Sequence, residues 1–436
     1  MAVAAPLAPE VWPLRTAAGP EGRLRVGGVD LVRLAERHGT PLYLYDTETV
    51  REAYRAYERA FRPFRPVRVS YAVKACPLLG VAAILARAGA DASASSIGEV
   101  MAARRAGFPA ARIQLHGNAK TDEELRAALR AGVGRIAVDG ADEIAALARL
   151  VRRRRSPQAL WLRVSPGITA DTHPFLRTGA LDSKFGAPLG TGDALAQARA
   201  IAAVPGLRLV GVHAHLGTQL HEPERYRELS EALVAFAREV RSATGAPVRE
   251  IAVGGGLAAP LVGGDRALSL EAYARAVSEP VRAADDLRAT IYLEPGRSLV
   301  GRAGVALYRV VGTKRVAGVR TFVSVDGGMG DNIRPALYGA AYTAVIAGRP
   351  MAPPDEEVAV AGKYCESGDL LIRSVQLPSA RRDDVLAVPG AGAYAVAMAS
   401  NYNHHVRPAV VLLDKGRARV IRRRESHADI WRLEKR

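Results

Sequence analysis

The sequence predicts an α/β protein: an eight-stranded parallel βα (TIM-like) barrel, with a β-rich domain formed from the N- and C-terminal segments. Two observations carry this. From about residue 68, short apolar runs alternate with amphipathic helical patterns, roughly eight such units in about 250 residues. After residue 300 the helical period gives way to β-like runs separated by turns. The expected barrel is residues 46–299, and the expected β-rich domain is 1–45 with 300–436.

The barrel strands are read as VRVSYAV ending at Val73, DASAS (91–95), IQLHG (113–117), RIAVD (135–139), LWLRV (160–164), LVGVHAH (209–215), EIAVG (250–254) and TIYLE (290–294). Patterns such as GVAAILARAGA, EVMAARRAG, DEIAALARLV and ERYRELSEALVAFAREV repeat apolar residues at helical spacing between them. Thr121 with Glu124 forms a capping box before ELRAAL. A doubly wound open sheet is the competing architecture, but no GxGxxG follows the first strand. The β-rich reading rests on LRVGG and PLYLYD near the start, and on VALYRVVGTKRV, TFVSVDGG, VAVAGKYC, DVLAVPG and AVVLLDKGRARVI near the end.

At 436 residues the chain is long enough for two domains and a sizeable core, so no disulfide staple is required. Its two cysteines, Cys76 and Cys365, fit a reducing compartment. The opening MAVAAPLAPEVWPLR lacks the basic and apolar regions of a signal peptide, and no run is apolar enough to span a bilayer. A cytoplasmic protein without membrane contact is expected. The net charge of +17 raises nucleic acid as a partner. Against this, arginine is spread along the chain without an aromatic-basic recognition motif, and the densest run, Arg152 to Arg155, closes a helical pattern where cations suit the helix dipole. Only seven of the 61 basic residues are lysine, so a lysine inside a special motif points to chemistry that arginine cannot perform.

Catalytic groups of a βα barrel stand at the C-terminal ends of its strands. Here those ends carry Lys74; Asp91 with the serines after it; His116, Gly117 and Asn118; Arg163; His213 and His215; Gly254, Gly255 and Gly256; and Glu294 followed by Pro295, Gly296 and Arg297. Lys74 could be a snorkelling lysine, but at a buried strand end its amine would be neutral and nucleophilic, fit for a Schiff base. The triple glycine makes either a tight turn or a phosphate cradle of bare N–H groups, and Thr218 and Arg297 at neighbouring strand ends favour the cradle. Glu294 is either a structural partner of an arginine or an acid that keeps a cofactor ring nitrogen protonated. His215 reads first as a satisfied core histidine. His213 and His215, at i and i+2, raise a metal site, but no third ligand follows at a convincing spacing and no metal is expected.

Taken together, YAVKA (71–75), DASASSIGEV, HGNAKT, HAHLGTQ, VGGGL and EPGRSLVG resemble, in order, the alanine-racemase-like (fold-type III) pyridoxal phosphate (PLP) decarboxylase family. SKFG (183–186), RPALY (334–338), CESGD (365–369) and GAGAYAVAMASNYN (390–403) resemble its meso-diaminopimelate decarboxylase branch. The resemblance implies that Lys74 carries pyridoxal 5'-phosphate and that His215 stacks on its ring. It implies Thr218, Gly254, Gly255, Gly256 and Tyr394 on the phosphate, and Glu294 on the ring nitrogen. Asp91, Pro295, Gly296 and Arg297 would also lie against the cofactor. Arg297, Arg334, Tyr338, Glu366 and Tyr394 would bind the distal end of the amino-acid substrate, and Cys365 would supply a proton from the partner subunit of a homodimer with shared sites. The implied reaction turns meso-2,6-diaminopimelate into L-lysine and CO2.

Four departures stand out: Cys76 where asparagine is usual, Thr218 for serine, Lys363 for proline, and His404–His405 after SNYN. They leave open a paralogue acting on another basic amino acid. A decarboxylase of ornithine or lysine would gain little from two arginines, since its substrate has no distal carboxylate. A racemase would be expected to set arginine, not Glu294, against the ring nitrogen. A non-catalytic PLP carrier would need neither CESGD nor the substrate arginines.

Overall fold

The computed structural model describes residues 7–152, 156–168, 183–265 and 267–435. Two compact units share the chain: 53–258 with 267–296, and 1–52 with 259–266 and 297–436.

The first unit is a closed parallel barrel. Its strands are Val67–Ala72, Asp91–Ala94, Ile113–Leu115, Arg135–Val138, Gln158–Ser165, Leu207–His213, Glu250–Ala252 and Thr290–Leu293. Each pairs in parallel with the next, and the eighth returns to the first through Ile291–Val67 to Leu293–Val69. Closure leaves no free edge among these eight. Amphipathic helices cover the outside. In Asp122–Ala131, Leu125, Ala128 and Leu129 are buried, and Thr121 and Glu124 form the anticipated capping box. Helix Pro223–Thr244 buries Tyr226, Leu229, Leu233, Phe236 and Val240 at helical spacing. The helix ahead of the arginine run ends at Val151, and residues 153–155 of that run lie outside the described residues.

The barrel interior is aromatic and ionic. Ala137, Trp161, Ala252 and Tyr292 form one buried cluster. Beneath it the Arg135 guanidinium donates twice to Glu250, at 3.0 and 2.5 Å, and Trp161 Nε1 donates to the same carboxylate at 2.6 Å. Glu250 is half-buried, and a partly desolvated carboxylate is tolerated when its oxygens are satisfied in this way.

The second unit is β-rich. Leu42–Asp46, near the N-terminus, is antiparallel to Gly304–Val316 and parallel to Ala409–Asp414. Sequence-distant segments thus build one sheet, which continues through Arg320–Val325, Glu356–Ala361 and Leu370–Leu377. Trp12, Leu24, Leu31, Leu34, Leu44, Leu307 and Val411 share its core. The segment 259–265 belongs to this unit.

Candidate active site

Most barrel strands end one or two residues earlier than the sequence predicts, so the chemistry-bearing residues stand just beyond them. Lys74 lies in a single 3-10 turn, Val73–Ala75, after the first strand. Tyr71 donates its hydroxyl to Cys76 O at 2.8 Å, and Cys76 N–H donates to Val73 O at 3.0 Å, which closes the turn. Cys76, a departure from the family pattern, is fully buried beneath it. Lys74 itself is exposed, and this corrects the expectation of a buried strand-end lysine. The chain has already left the strand at Ala72, so the side chain stands at the barrel mouth.

Glu294 directly follows the eighth strand, and its side chain is 9% exposed. His213, the last residue of the sixth strand, points Nε2 at Glu294 Oε2 at 3.1 Å. His116, after the third strand, brings Nε2 to 2.7 Å from Oε1, off the line of a hydrogen bond, so Oε1 and this nitrogen keep no hydrogen-bond partner. Burial pushes the Glu294 carboxyl up, but the two imidazoles outweigh it and hold the group well below the usual carboxylate range. Burial lowers His213 to about 4 despite the carboxylate beside it. His116, His213 and Glu294 are also a set whose ligand atoms lie within 4.8 Å of one another, as a metal would need.

The two-histidine reading of the sixth strand is therefore revised. His213 faces Glu294, whereas His215 lies past the strand end, where period-two alternation no longer applies. His215 Nδ1 instead accepts from Gly255 N–H at 3.3 Å. Its pKa is lowered by burial and then by the positive charges of Lys74 and Arg163.

The glycine loop follows the seventh strand, Glu250–Ala252. A Cβ on Gly255 would stand 2.2 Å from Glu294 O, and one on Gly256 would stand 2.2 Å from Gly217 O. Gly256 also has φ +97°, which L side chains rarely adopt. The loop is bare because two neighbouring strand-end turns press on it, and bare backbone also leaves N–H groups approachable by an anion. Thr218 is half-buried in the turn after Gly217. Pro295 O accepts from Ala72 N–H at 3.0 Å, tying the Glu294 turn to the turn of Lys74, and Gly296 is buried next to it.

Asp91 does not join this group. It is the first residue of the second strand, at the opposite end of the barrel. There it accepts from Arg68 at 3.1 and 3.0 Å and from Arg112 at 2.7 Å. The expected cofactor role is corrected to a structural one, because Asp91 begins rather than ends the strand that DASAS forms. Glu99 is the reverse case, a residue with no expected role. It is half-buried, accepts from Ser95 N–H at 2.7 Å, and feels the charge of Lys74.

The β-rich unit carries its own constellation. Arg297 and Arg334 are 5% and 3% exposed, and each guanidinium lies over the Tyr394 ring, at 4.9 and 5.7 Å. Arg334 Nε donates to Tyr342 Oη at 3.1 Å, and its guanidinium also lies over Tyr338 at 5.7 Å. Arg297 Nε and Nη1 have no hydrogen-bond partner, and burial, then the neighbouring Arg334 charge, lower its pKa to about 10. No ion pair of either arginine with a carboxylate occurs among the described residues. Two adjacent buried cations without a counter-charge are built for an anionic ligand. Tyr394 holds φ +63° for a non-glycine residue, in a loop pinned where Tyr45 Oη donates to Gly392 O at 2.9 Å.

In CESGD the residues divide. Asp369 is buried and accepts from Tyr364 N–H at 2.8 Å and Met329 N–H at 2.6 Å, so it fixes the loop. Cys365 and Glu366 are exposed, and Cys365 N–H donates to Asn403 Oδ1 at 3.0 Å. The two histidine departures are absorbed locally: Trp431 Nε1 reaches His404 Nδ1 at 3.3 Å, and His405 packs edge-on to Tyr364 at 4.7 Å. Lys363 is exposed, with its N–H donating to Gly327 O.

The barrel residues fit a pyridine cofactor on one observation above all: Glu294 Oε1 is a buried acceptor with no hydrogen-bond partner, as a protonated ring nitrogen requires. Residues 47–301 match the family described as pyridoxal-dependent decarboxylase, pyridoxal binding domain. The chain belongs to this family, in its diaminopimelate decarboxylase branch. The decarboxylase is 40% identical to the diaminopimelate decarboxylase of Bacillus subtilis over 95% of both chains. It is 43% identical to that of Actinosynnema pretiosum, over 97% of this chain and 95% of the other. Its fold superposes on the diaminopimelate decarboxylase of M. jannaschi with a TM-score of 0.90 at 31% identity, covering 97% of this chain and 98% of that one. The Helicobacter pylori diaminopimelate decarboxylase, solved in complex with L-lysine, gives 0.86 at 32%, covering 93% and 99%. Among the described residues no helix is long and apolar enough to cross a membrane.

Proposed function

We propose that the decarboxylase removes CO2 from meso-2,6-diaminopimelate and releases L-lysine. The observation that carries the substrate is the pair of buried arginines, Arg297 and Arg334, without a carboxylate partner among the described residues. The substrate has a distal carboxylate to offer them, and ornithine and lysine do not.

Pyridoxal phosphate, when bound, supplies an electron sink for the carbanion left by CO2. The chain's residues do the rest. Lys74 would offer the nucleophilic amine that holds the cofactor. Glu294, ionised, would accept from the ring nitrogen and keep it protonated. Gly254, Gly255 and Gly256, with Thr218, would hold the phosphate, and His215 would lie against the ring. Glu366 accepts from the distal ammonium, with Tyr338 beside it. Cys365 or Lys74 returns the proton to Cα.

We further infer a homodimer in which Cys365 serves the Lys74 of the partner subunit. Its exposure in CESGD supports this. Two free cysteines support a cytoplasmic location.

Arg334→Ala tests the substrate reading. It should lower kcat/KM for meso-diaminopimelate by about 2–4 kcal/mol of transition-state binding. Activity on L-lysine or L-ornithine, measured in parallel, should barely change. An equal loss on all three would assign Arg334 to folding or to the cofactor.

A further inference from the structure

We propose that His213, seconded by His116, is a positioning residue that holds the Glu294 carboxylate oriented as the acceptor for the cofactor's ring nitrogen. The inference rests on the reading that the chain carries PLP, and it adds residues to which the sequence motifs attach no role.

The geometry makes the case. An ionised carboxylate only accepts, so the 3.1 Å contact at Oε2 requires the proton on His213 Nε2. That choice leaves His213 Nδ1 bare, buried and without a hydrogen-bond partner. Leaving a buried polar atom unmade is costly, and a position kept only for packing would be filled by an apolar side chain. The ring plane is fixed as well: His213 is stacked on Trp161 at 6.2 Å and 3°, and His116 lies 4.7 Å away. Trp161 is in turn anchored through Nε1 to Glu250. One oxygen of Glu294 is thus held by His213, and the other, Oε1, is buried without a hydrogen-bond partner, with His116 Nε2 2.7 Å away as its ion-pair neighbour.

Charge supports the same assignment. A carboxyl this buried would otherwise drift toward its neutral form, which cannot hold a protonated nitrogen. Burial lowers His213 far enough that it stays a neutral donor, so its support does not titrate away near neutral pH. The ionisable groups that face Glu294 among the described residues are His116 and His213 beside it, Arg163 on the fifth strand, His215 past the sixth, and Tyr273 on helix Leu270–Ala283.

The test uses full-length protein loaded with PLP that is 15N-labelled at the ring nitrogen. His213→Phe and His213→Leu remove the donor, and His213→Gln keeps one. Two donor-less variants are made so that poor accommodation of one beside Trp161 leaves the other to read. The donor-less variants should retain bound cofactor while the ring-nitrogen signal moves from the pyridinium toward the neutral position. Their kcat should fall about 10- to 100-fold, the usual scale for losing an orienting partner. KM for meso-diaminopimelate should stay within about 2-fold, because substrate binding is untouched. With the imidazole gone, burial raises the Glu294 pKa, so the acid limb of the kcat–pH profile should shift upward. His213→Gln should recover most of the signal and the rate. An unmoved nitrogen signal in the donor-less variants, or a Gln variant no better than Leu, would overturn the proposal. The signal is read without substrate, so a wild-type protein that loads cofactor but ignores meso-diaminopimelate would sink the proposed activity and leave this inference standing.

Discussion

Asp91 takes three hydrogen bonds from Arg68 and Arg112 at the start of the second barrel strand. Asp91→Asn weakens these charge-assisted contacts and should lower unfolding free energy by about 1–3 kcal/mol. Denaturant unfolding checks this, and cofactor affinity, measured alongside, should stay at the wild-type level. Lost cofactor with unchanged stability would return Asp91 to the site. The difference from the expected role has a physical reason. A run such as DASAS reveals a strand, but not which end of the barrel each of its residues occupies. Glu294 was legible because it ends an apolar run and is followed by Pro295 and Gly296. Arg297 was legible from its place after the eighth strand, and Arg334 only through motif resemblance. Their mutual closeness over Tyr394 comes from a fold that brings residues 297, 334 and 394 together, which no local pattern encodes.

The barrel strands and helices were readable element by element, since each has its own period of two or 3.6. Their ends were not. The seventh strand stops at Ala252, because Gly254 to Gly256 turn against Glu294 O and Gly217 O, contacts made across strands. The sixth stops at His213, which separates two histidines that strand alternation would place on one side. That separation gives His213 to Glu294 and His215 to the glycine loop. The pairing of His116 with His213 and Glu294 joins three strands, so sequence spacing carried no signal for it. The β-rich reading of both termini held, yet the insertion of Leu42–Asp46 between Gly304–Val316 and Ala409–Asp414 is a matter of register invisible in one sequence.

Across the whole chain, the +17 charge is dispersed rather than patterned. Many arginines are tied locally, as in Arg238–Asp286, Arg349–Asp384 and Arg423–Asp429, and surface pairs of this kind contribute little individually. Assembly matters more. If Cys365 serves a partner's Lys74, then Lys74→Ala and Cys365→Ala proteins, each nearly inactive, should complement when their subunits exchange. Roughly half the dimers become mixed, each with one intact site, and activity should return to about a quarter of wild type. No recovery, with exchange verified by tagged subunits, would show that both groups serve one chain's own site. Substrate choice decides the function. Purified protein loaded with PLP is given meso-diaminopimelate, L-ornithine and L-alanine in parallel, and CO2, L-lysine and D-alanine are quantified. The predicted result is equimolar CO2 and L-lysine from meso-diaminopimelate, with far slower release from ornithine and no racemised alanine. Faster decarboxylation of ornithine, or D-alanine without CO2, would contradict it.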